Sequence, residues 1–471
     1  MTKQLTMKLY IMKITILTLT MFLVMPFSMM AQNNDSIVIA DIYKNALTSQ
    51  EAYNNLKELC EAGPRQIGSE ASIQAVHIIK KQLETKEYDK VYLQGFKSSV
   101  WYPNARGKVM VISENNDDYL LEVDAFGPSV ATPRNGLKAS IIEVSGISEL
   151  ESLDKELIKN KVVFYNTPMR NIYSNPLDAY VEARMLRFNG TSHAAKYGAV
   201  GVLMRSLTTS IDEFPHTGSI VYNDKFEKIP ALAVSSKDSE FLSNLLKKAP
   251  NSKISMFVDT KLVDSVKSYN VIAEIKGKTN PEEVIIIGAH IDSWYNTVGA
   301  HDDGAGCVQM MDVLRIFDEL KIENNKTIRV VLFMDEEIHR AGAKAYADYF
   351  DDDKETIIAG IESDLGGYSP NGFLIDGEST IVNQIQEYKK HLLPYGLYDI
   401  GKGFGGMDIL TLKKKYSFPS IALRVESQRY FEIIHTVNDT FDKVHPRELQ
   451  LGTAAIASLV YLLDKYGIKL D

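Results

Sequence analysis

Hydrophobic positions repeat at helical spacing near both ends of the chain and form strand-like runs between them. Residues 36–62 and 69–86 place apolar side chains three and four positions apart, which predicts two helices. From 89 to 125 the apolar runs are brief, as in KVYLQGF and KVMVISE, and predict short strands. The stretch ELQLGTAAIASLVYLLDKY at 448–466 predicts a long closing helix.

After residue 268, continuous apolar segments such as VIIIGAH and TIRVVLFMDEE alternate with helical stretches such as VQMMDVLRIFDEL. This rhythm predicts an α/β fold in which helices cover both faces of a mostly parallel, mixed sheet, a three-layer αβα arrangement. Residues 126–262 contain shorter apolar pieces and one helical stretch, and predict a small α/β domain. We expect it to be inserted between residues 32–125 and 263–471, which together form the main domain.

The first 31 residues have the pattern of a secretory signal. Three lysines precede the apolar run ITILTLTMFLVMPF, and the small residue Ala31 ends the segment. A membrane anchor is the alternative, but the run is short for a bilayer span. We therefore expect residues 1–31 to be removed and the protein to be secreted or periplasmic, with no stable membrane span afterwards.

The composition is that of a globular protein, with 45% hydrophobic and 24% charged residues. The net charge of −9 argues against nucleic acid or an anionic membrane surface as a partner. The two cysteines, Cys60 and Cys307, lack the spacing of a metal site, so we expect both to be buried as small apolar residues.

Acidic and imidazole side chains stand at the ends of three predicted strands: His290, Asp292, Asp335, Glu336, Glu337, Glu362 and Asp364. Ligands of open α/β sheets bind beyond the carboxyl ends of the strands. Any one of these residues alone is more simply a helix cap or a solvated loop residue. Together they favour a divalent cation, and the mixed nitrogen and oxygen donors suit zinc or a related transition metal. Asp302, in the HDDGAG loop, suits a bridge between two metals.

The motifs HID, HDDGAG, DEE, ESD and HTVNDT, in this order, resemble the M28 family of zinc peptidases over nearly all of the chain after the signal. Residues 126–262 are similar to the protease-associated domain inserted in some members, and the combination most resembles the carboxypeptidase Q branch. The resemblance implies two Zn²⁺ ions with Asp302 as the bridge. Its implied terminal ligands are His290 with Asp364 on one ion, and Glu337 with His435 on the other.

The resemblance also implies the roles of further residues. Glu336 would be the general base that takes a proton from a metal-activated bridging water and passes it to the leaving amine. Asp292 would hold the imidazole of His290, and Asp439 would support the loop of His435. Tyr430 would help to stabilise the oxyanion. The implied protein is an exported exopeptidase for short peptides or dipeptides, and a homodimer.

Two other functions are compatible with the fold: a non-catalytic, receptor-like binding protein and a single-zinc glutaminyl cyclase relative. The intact set of implied ligands, with its base, favours the peptidase over both. The sequence leaves aminopeptidase and carboxypeptidase activity open. Arg424 and Arg429, with Glu426 between them, are candidates for reading a substrate terminus. A serine hydrolase is excluded because no GxSxG motif is present.

Several other residues near these motifs are not predicted to be metal ligands or the general base. His301 is expected to be a non-ligand, and His339 a surface residue. His216, in the PHTG motif, would reach substrate only if the inserted domain folds over the cleft. The GFGGMDIL segment matches a family loop near the active site, where Gly405 and Gly406 would permit close approach of the backbone to substrate.

Overall fold

The computed structural model describes residues 34–112 and 118–469, so the predicted signal at 1–31 lies outside the described residues. The helices are α1 (34–48), α2 (Glu51–Glu61), α3 (Glu70–Leu83), α4 (Ile147–Ser152), α5 (Lys155–Ile158), α6 (Pro176–Lys196), α7 (Ser236–Lys248), α8 (Ala305–Glu319), α9 (Ala341–Tyr349), α10 (Ser379–Gln386), α11 (Lys389–Leu392), α12 (Met407–Lys413) and α13 (Pro446–Tyr466). The strands are β1 (Lys90–Ile112), β2 (Tyr119–Leu121), β3 (Val123–Ala125), β4 (Leu137–Val144), β5 (Val162–Tyr165), β6 (Gly201–Arg205), β7 (Ala231–Val234), β8 (Lys253–Ile275), β9 (Asn280–His290), β10 (Lys326–Phe333), β11 (Thr356–Glu362), β12 (Pro370–Asp376), β13 (Asp399–Lys402) and β14 (Ser420–Val425).

The main sheet is mixed but parallel at its centre. Its order is β13-β12-β14-β11-β9-β10-β8, and β9 pairs in parallel with both β10 and β11. Strand β11 is also parallel to β14, whereas β8 and β12 run antiparallel to their neighbours β10 and β14. The three central strands therefore end at one edge of the sheet, and the loops that follow them meet there.

Side chains of β9 alternate between two separate cores, as expected for a strand buried on both faces. Ile285 and Ile287 belong to the core that contains residues of α3, α8 and α13. Val284 and Ile286 belong to the core that contains residues of α9 and α12. The predicted three-layer αβα fold with a mostly parallel sheet is thereby confirmed.

Residues from β3 to β7 form a second, smaller layer of sheet. Strands β4, β5, β6 and β7 are parallel, β3 is antiparallel to β7, and helix α6 contacts this layer. The layer continues into the main sheet through β8, whose first half pairs with β4 and whose second half pairs with β10. The predicted domain boundaries at 126 and 262, and the protease-associated identity of this layer, stay predictions.

The expectation of short strands between 89 and 112 is wrong, because β1 is a single strand of 23 residues. It pairs with β8 from Lys90 to Ile112, and three register shifts between Ser98 and Lys108 absorb the segment that includes Pro103. Bulges of this kind let a strand continue through residues that do not fit a regular ladder. The sequence pattern shows where the apolar runs are interrupted. Pairing with the long strand β8 shows that these interruptions lie within the single strand β1.

Among the residues that the structure describes, no helix has both the length and the apolar character that crossing a membrane requires. Cys60 and Cys307 are both buried and unpaired, as expected for cysteines that pack as small apolar residues.

Candidate metal centre

The three central strands bring the predicted residues to one edge of the sheet. Strand β9 ends at His290, β11 ends at Glu362 with Asp364 two residues further on, and β10 is followed by the turn that contains Glu336 and Glu337. Because β9 lies between β11 and β10, His290 stands in the middle of this arrangement.

Two groups of potential metal ligands share Asp302. In the first group, the Nε2 atom of His290 lies 3.2 Å from Oδ1 of Asp302 and 3.3 Å from Oδ1 of Asp364. In the second, the Nε2 atom of His435 lies 3.1 Å from Oδ2 of Asp302 and 3.6 Å from Oε2 of Glu337. The donor atoms of each group lie within 4.8 Å of one another.

Burial and neighbouring charges shift the pKa values of His290 and Glu337. Burial opposes a charge on the His290 imidazole, but the nearby carboxylates, led by Asp364, outweigh it and raise its pKa well above the ordinary value. Burial raises the pKa of Glu337 well above its ordinary value, and the charge of Asp302 adds to the shift. Among the described atoms, Oε1 of Glu337 has no hydrogen-bond partner.

A divalent cation in each group would hold the carboxylates in their charged form and give these buried atoms a partner. Each group offers one imidazole nitrogen and carboxylate oxygens, with no thiolate. That donor set suits zinc, whereas calcium takes oxygen ligands alone. The residues present therefore fit a zinc ion in each group.

The loop that carries Asp302 is fixed by two other aspartates. Asp439 accepts hydrogen bonds from the backbone N–H groups of His301 at 2.7 Å and Asp302 at 3.0 Å. Asp303 accepts bonds from the N–H groups of His290 at 3.1 Å and Gly306 at 3.0 Å. Asp439 thus anchors the Asp302 loop through its carboxylate, and its own N–H group donates to the carbonyl of Thr436, next to His435, at 3.2 Å. Asp303 stands in the HDDGAG motif, but no role was predicted for it.

Asp292 contacts the imidazole of His290 through its main chain, and its carboxylate has a second set of partners. The Nδ1–H group of His290 donates to the backbone carbonyl of Asp292 at 3.0 Å, while the nearer carboxylate oxygen lies 3.7 Å away. The carboxylate instead accepts hydrogen bonds from the N–H groups of Asp335 at 2.7 Å, Glu336 at 3.1 Å and Glu337 at 3.4 Å. Asp292 therefore orients the imidazole through its main chain and the glutamate turn through its side chain.

A cavity of about 400 Å³ opens onto both groups. Glu336 and Tyr430 line it together with Asp302, Glu337, Asp364 and His435. Burial raises the pKa of Glu336 to about 8, and the charges of Asp364 and Asp292 add to this shift. Burial also raises the pKa of Tyr430, with Asp302 adding to the effect, so its hydroxyl keeps its proton. Both residues predicted to act on substrate thus face the same space as the metal ligands.

The 126–262 region reaches into the centre through the segment that follows His216. The Nδ1–H group of His435 donates to the carbonyl of Thr217 at 3.1 Å, and the N–H group of Thr217 donates to the carbonyl of His435 at 3.2 Å. The hydroxyl of Ser219 donates to the carbonyl of Glu337. His216 itself is buried, and burial lowers its pKa to about 3. The PHTG motif was the only sequence signal for this contact.

Glu362 does not join the metal ligands, because its carboxylate holds the start of α12. It accepts hydrogen bonds from the N–H groups of Met407 at 2.8 Å and Ile409 at 2.7 Å. Gly406 has a φ of +93°, and a Cβ atom there would lie 2.5 Å from the Glu362 carboxyl group. The glycine is needed because the backbone passes directly against this carboxylate.

The remaining candidates lie outside the two groups. His301 is buried and stacked on Tyr368, and its Nδ1 accepts a hydrogen bond from the N–H group of Gly367. His339 is partly exposed, with Nδ1 3.5 Å from a carboxylate oxygen of Asp335.

Arg424 and Arg429 do not line the cavity, and each is engaged elsewhere. The guanidinium of Arg424 pairs with Asp399 at 2.8 Å. Arg429 contacts both carboxylate oxygens of Glu448 at 2.9 Å. Neither arginine is therefore placed to read a substrate terminus.

Comparison with known proteins gives consistent results. The model of peptidase family M28 matches residues 270–460. Carboxypeptidase Q of Bos taurus is 27% identical over 429 residues, which cover 91% of this chain and 88% of that protein. A Peptidase M28 precursor from Shewanella amazonensis has a crystal structure that is 30% identical, with a TM-score of 0.86, covering 93% of this chain and 99% of that one. A zinc aminopeptidase from Bacillus subtilis, 18% identical, has a TM-score of 0.61 over 90% of this chain and 95% of its own, which shows a shared fold.

Proposed function

The chain belongs to peptidase family M28 and is a zinc-dependent exopeptidase of the carboxypeptidase Q type, and we propose that it hydrolyses short peptides with two zinc ions. The observation that carries this proposal is the pair of ligand groups that share Asp302. A single-zinc relative would need only one such group, and a non-catalytic binding protein would need no general base beside it.

His290 and Asp364 would hold one zinc ion, Glu337 and His435 would hold the other, and Asp302 would bridge them. When bound, the ions lower the pKa of a water molecule and polarise the scissile carbonyl. Asp302 suits the bridge because its two oxygens face different histidines, Oδ1 towards His290 and Oδ2 towards His435.

Glu336 is the proposed general base. It precedes a proposed ligand, lines the cavity, and has its N–H group fixed by the carboxylate of Asp292. From this position its carboxylate takes the proton of the attacking water and returns it to the nitrogen of the leaving amine. Glu337, one residue later, points to His435 and stays a ligand.

Tyr430 is the proposed donor to the oxyanion. Its side chain is buried, lines the same cavity, and packs edge to face against Phe431, which limits its movement. A protonated hydroxyl at a fixed position stabilises the charge that develops on the carbonyl oxygen.

Glu336→Gln tests the mechanism. We expect the variant to keep its bound zinc, measured by mass spectrometry of the metal, while kcat for an unblocked dipeptide falls by about 10²- to 10⁴-fold. Undiminished turnover would refute the role of Glu336. Equally fast cleavage of a peptide blocked at both termini would refute exopeptidase activity.

We also propose that residues 1–31 direct export and that the mature chain forms a homodimer. N-terminal sequencing of protein recovered from the periplasm or the medium tests the first proposal, which predicts a start near residue 32. Sedimentation equilibrium tests the second, and a monomer at all concentrations would refute it.

A further inference from the structure

The two ligand groups of the metal centre rest on different parts of the chain. Within the part of the chain that the structure describes, the hydrogen bonds and ion pairs of His290 and Asp364 all go to residues between 263 and 471. Glu337 and His435, by contrast, are both held by residues 217–219 of the 126–262 region, which we call the 217–219 segment. One proposed zinc site therefore depends on the main domain alone, whereas the other also depends on this segment.

Thr217 fixes His435 at two points. The φ of His435 is +59°, in the left-handed region, where a side chain strains the backbone. Its carbonyl accepts hydrogen bonds from the N–H group of Thr217 and from the side-chain amide of Asn296, each at 3.2 Å. Its Nδ1–H group donates to the carbonyl of Thr217 at 3.1 Å. Because a strained backbone persists only where its surroundings hold it, the direction of the imidazole depends on Thr217.

Ser219 fixes the main chain of Glu337. Its hydroxyl donates to the carbonyl of Glu337. The other described hydrogen bond of the Glu337 main chain runs from its N–H group to Asp292 and is long, at 3.4 Å. The Glu337 carboxylate has little support of its own, since Oε1 has no partner among the described atoms and Oε2 lies 3.6 Å from Nε2 of His435. Without the Ser219 hydroxyl, this proposed ligand would be free to shift.

The 217–219 segment is itself fixed to the smaller sheet layer. The hydroxyl of Thr217 donates to the carbonyl of Ala125, the last residue of β3, at 2.5 Å. The N–H group of Gly127 donates to the carbonyl of Gly218 at 3.1 Å, and that of Ile220 donates to the carbonyl of Gly127 at 2.7 Å. A displacement of the smaller layer would therefore move the segment and, with it, both ligands that the segment holds.

We propose that Thr217 and Ser219 are positioning residues for one of the two zinc sites, the one formed by Glu337 and His435 with Asp302. This inference rests on the proposed two-zinc function, and it adds that the affinity of this site for zinc is coupled to the seating of the 217–219 segment. Such coupling is reciprocal. Loss of the contacts weakens zinc binding at this site, and zinc bound there holds the segment in place.

The other site is supported differently and should keep its affinity. The Nδ1–H group of His290 donates to the carbonyl of Asp292, in the main domain. Asp302, which both sites share, has its N–H group held by the carboxylate of Asp439 and not by the 217–219 segment. A change confined to the segment should therefore distinguish the two sites.

Ser219→Ala tests the coupling through the protein. Zinc is titrated into the metal-free mature enzyme in competition with a chelating dye. We expect one of the two zinc ions to bind about 10- to 100-fold more weakly than in the wild type, and the other to bind unchanged. In crystals of the variant with one equivalent of zinc, anomalous diffraction should place the ion at His290 and Asp364. Ser219→Thr, which keeps the hydroxyl, should restore the affinity.

Ser192→Ala is the matched control. The hydroxyl of Ser192 also comes from the 126–262 region and donates to a backbone carbonyl, that of Val221 at 2.9 Å. Its described hydrogen bonds include none with a proposed ligand. We expect this variant to bind both zinc ions as tightly as the wild type does.

Hydrogen exchange of the wild type tests the coupling through the metal. The N–H group of Thr217, which donates to His435, should exchange faster in the metal-free enzyme than in the zinc-loaded enzyme. Mass spectrometry of a peptide that covers residues 216–222 measures this change. A peptide from β6, a strand of the same smaller layer, is the reference and should change less. No change in the 216–222 peptide, or an equal change in both peptides, would contradict the coupling.

Three results with Ser219→Ala would overturn the inference: both zinc ions bind as tightly as in the wild type, both are weakened equally, or the ion at His290 is the one that is lost. In each case the proposed function would stand, because the wild type still binds two zinc ions and hydrolyses dipeptides. A wild type that binds a single zinc ion, or that cleaves no peptide, would instead refute the proposed function, and this inference with it.

Discussion

Replacing Asp292 with asparagine removes one negative charge from beneath the turn that carries Glu336 and Glu337. The substitution preserves the size of the side chain and one carbonyl-type oxygen. It therefore changes the strength of the hydrogen bonds to the turn without opening a cavity. The expected result is a loss of stability together with a loss of activity.

The distances give the size of the effect. Oδ1 of Asp292 accepts from the N–H groups of Asp335 at 2.7 Å and Glu336 at 3.1 Å, whereas the contact with Glu337 is 3.4 Å and weak. A hydrogen bond to a charged acceptor contributes about 1.5–3 kcal/mol and one to a neutral acceptor about 0.5–1.5 kcal/mol. For two bonds, Asp292→Asn should lower the free energy of unfolding by about 2–3 kcal/mol.

The substitution should also lower kcat/KM, independently of stability, because the carboxylate of Asp292 positions Glu336 through its backbone N–H group. A shift of about 1 Å in a catalytic group can reduce the rate by about 10²-fold. Asp464→Asn is the matched control. Asp464 is also buried and accepts bonds from the backbone N–H groups of Asn325 at 3.0 Å and Lys326 at 2.7 Å, but at the opposite end of β10.

Urea unfolding and dipeptide hydrolysis of both variants provide the assay. We expect similar losses of stability, and a fall in kcat/KM only for Asp292→Asn. If Asp292→Asn kept full activity at its reduced stability, the positioning argument would be wrong. If its urea midpoint did not move, the hydrogen bonds would not contribute as calculated.

Two further predictions concern stability. Gly396→Ala should lower the free energy of unfolding by about 1–2 kcal/mol, because of the positive φ at this position alone. Gly406→Ala should lower it further, because the added Cβ would also meet the Glu362 carboxyl group. Equal urea midpoints for the two variants would contradict this prediction. Burial raises the pKa of Asp35, but hydrogen bonds from Lys465 and two tyrosines outweigh it and lower the pKa. The Asp35 carboxylate therefore contributes fully to the free energy of unfolding above about pH 4, and this contribution is lost in more acidic solution. The Asp35→Asn variant should have a lower free energy of unfolding than the wild type at pH 6, and nearly the same value at pH 3. The same difference in free energy at both pH values would refute this prediction.

The sequence was most informative where a short pattern determines the structure. The apolar run of β9 ends at His290, and that of β11 ends at Glu362, so the parallel sheet predicts that the residues after these strands come together. Such reasoning places Asp364 and the glutamate turn at one edge without any knowledge of contacts. The resemblance added His435, which no strand pattern indicates.

Contacts between segments that lie far apart along the chain could not be predicted from the sequence pattern. Thr217 meets His435 across 218 positions, and only the fold brings them together. The distinction between the carbonyl and the carboxylate of Asp292 depends on side-chain direction, which the residue type does not determine.

The zinc content of the purified mature enzyme tests the central claim most directly. Mass spectrometry of the metal should find two zinc ions per chain in the wild type. Asp302→Ala, which removes the shared ligand, should reduce the content of both sites and abolish dipeptide hydrolysis. A single zinc ion in a fully active wild type, or two tightly held ions in an active Asp302→Ala variant, would contradict the account.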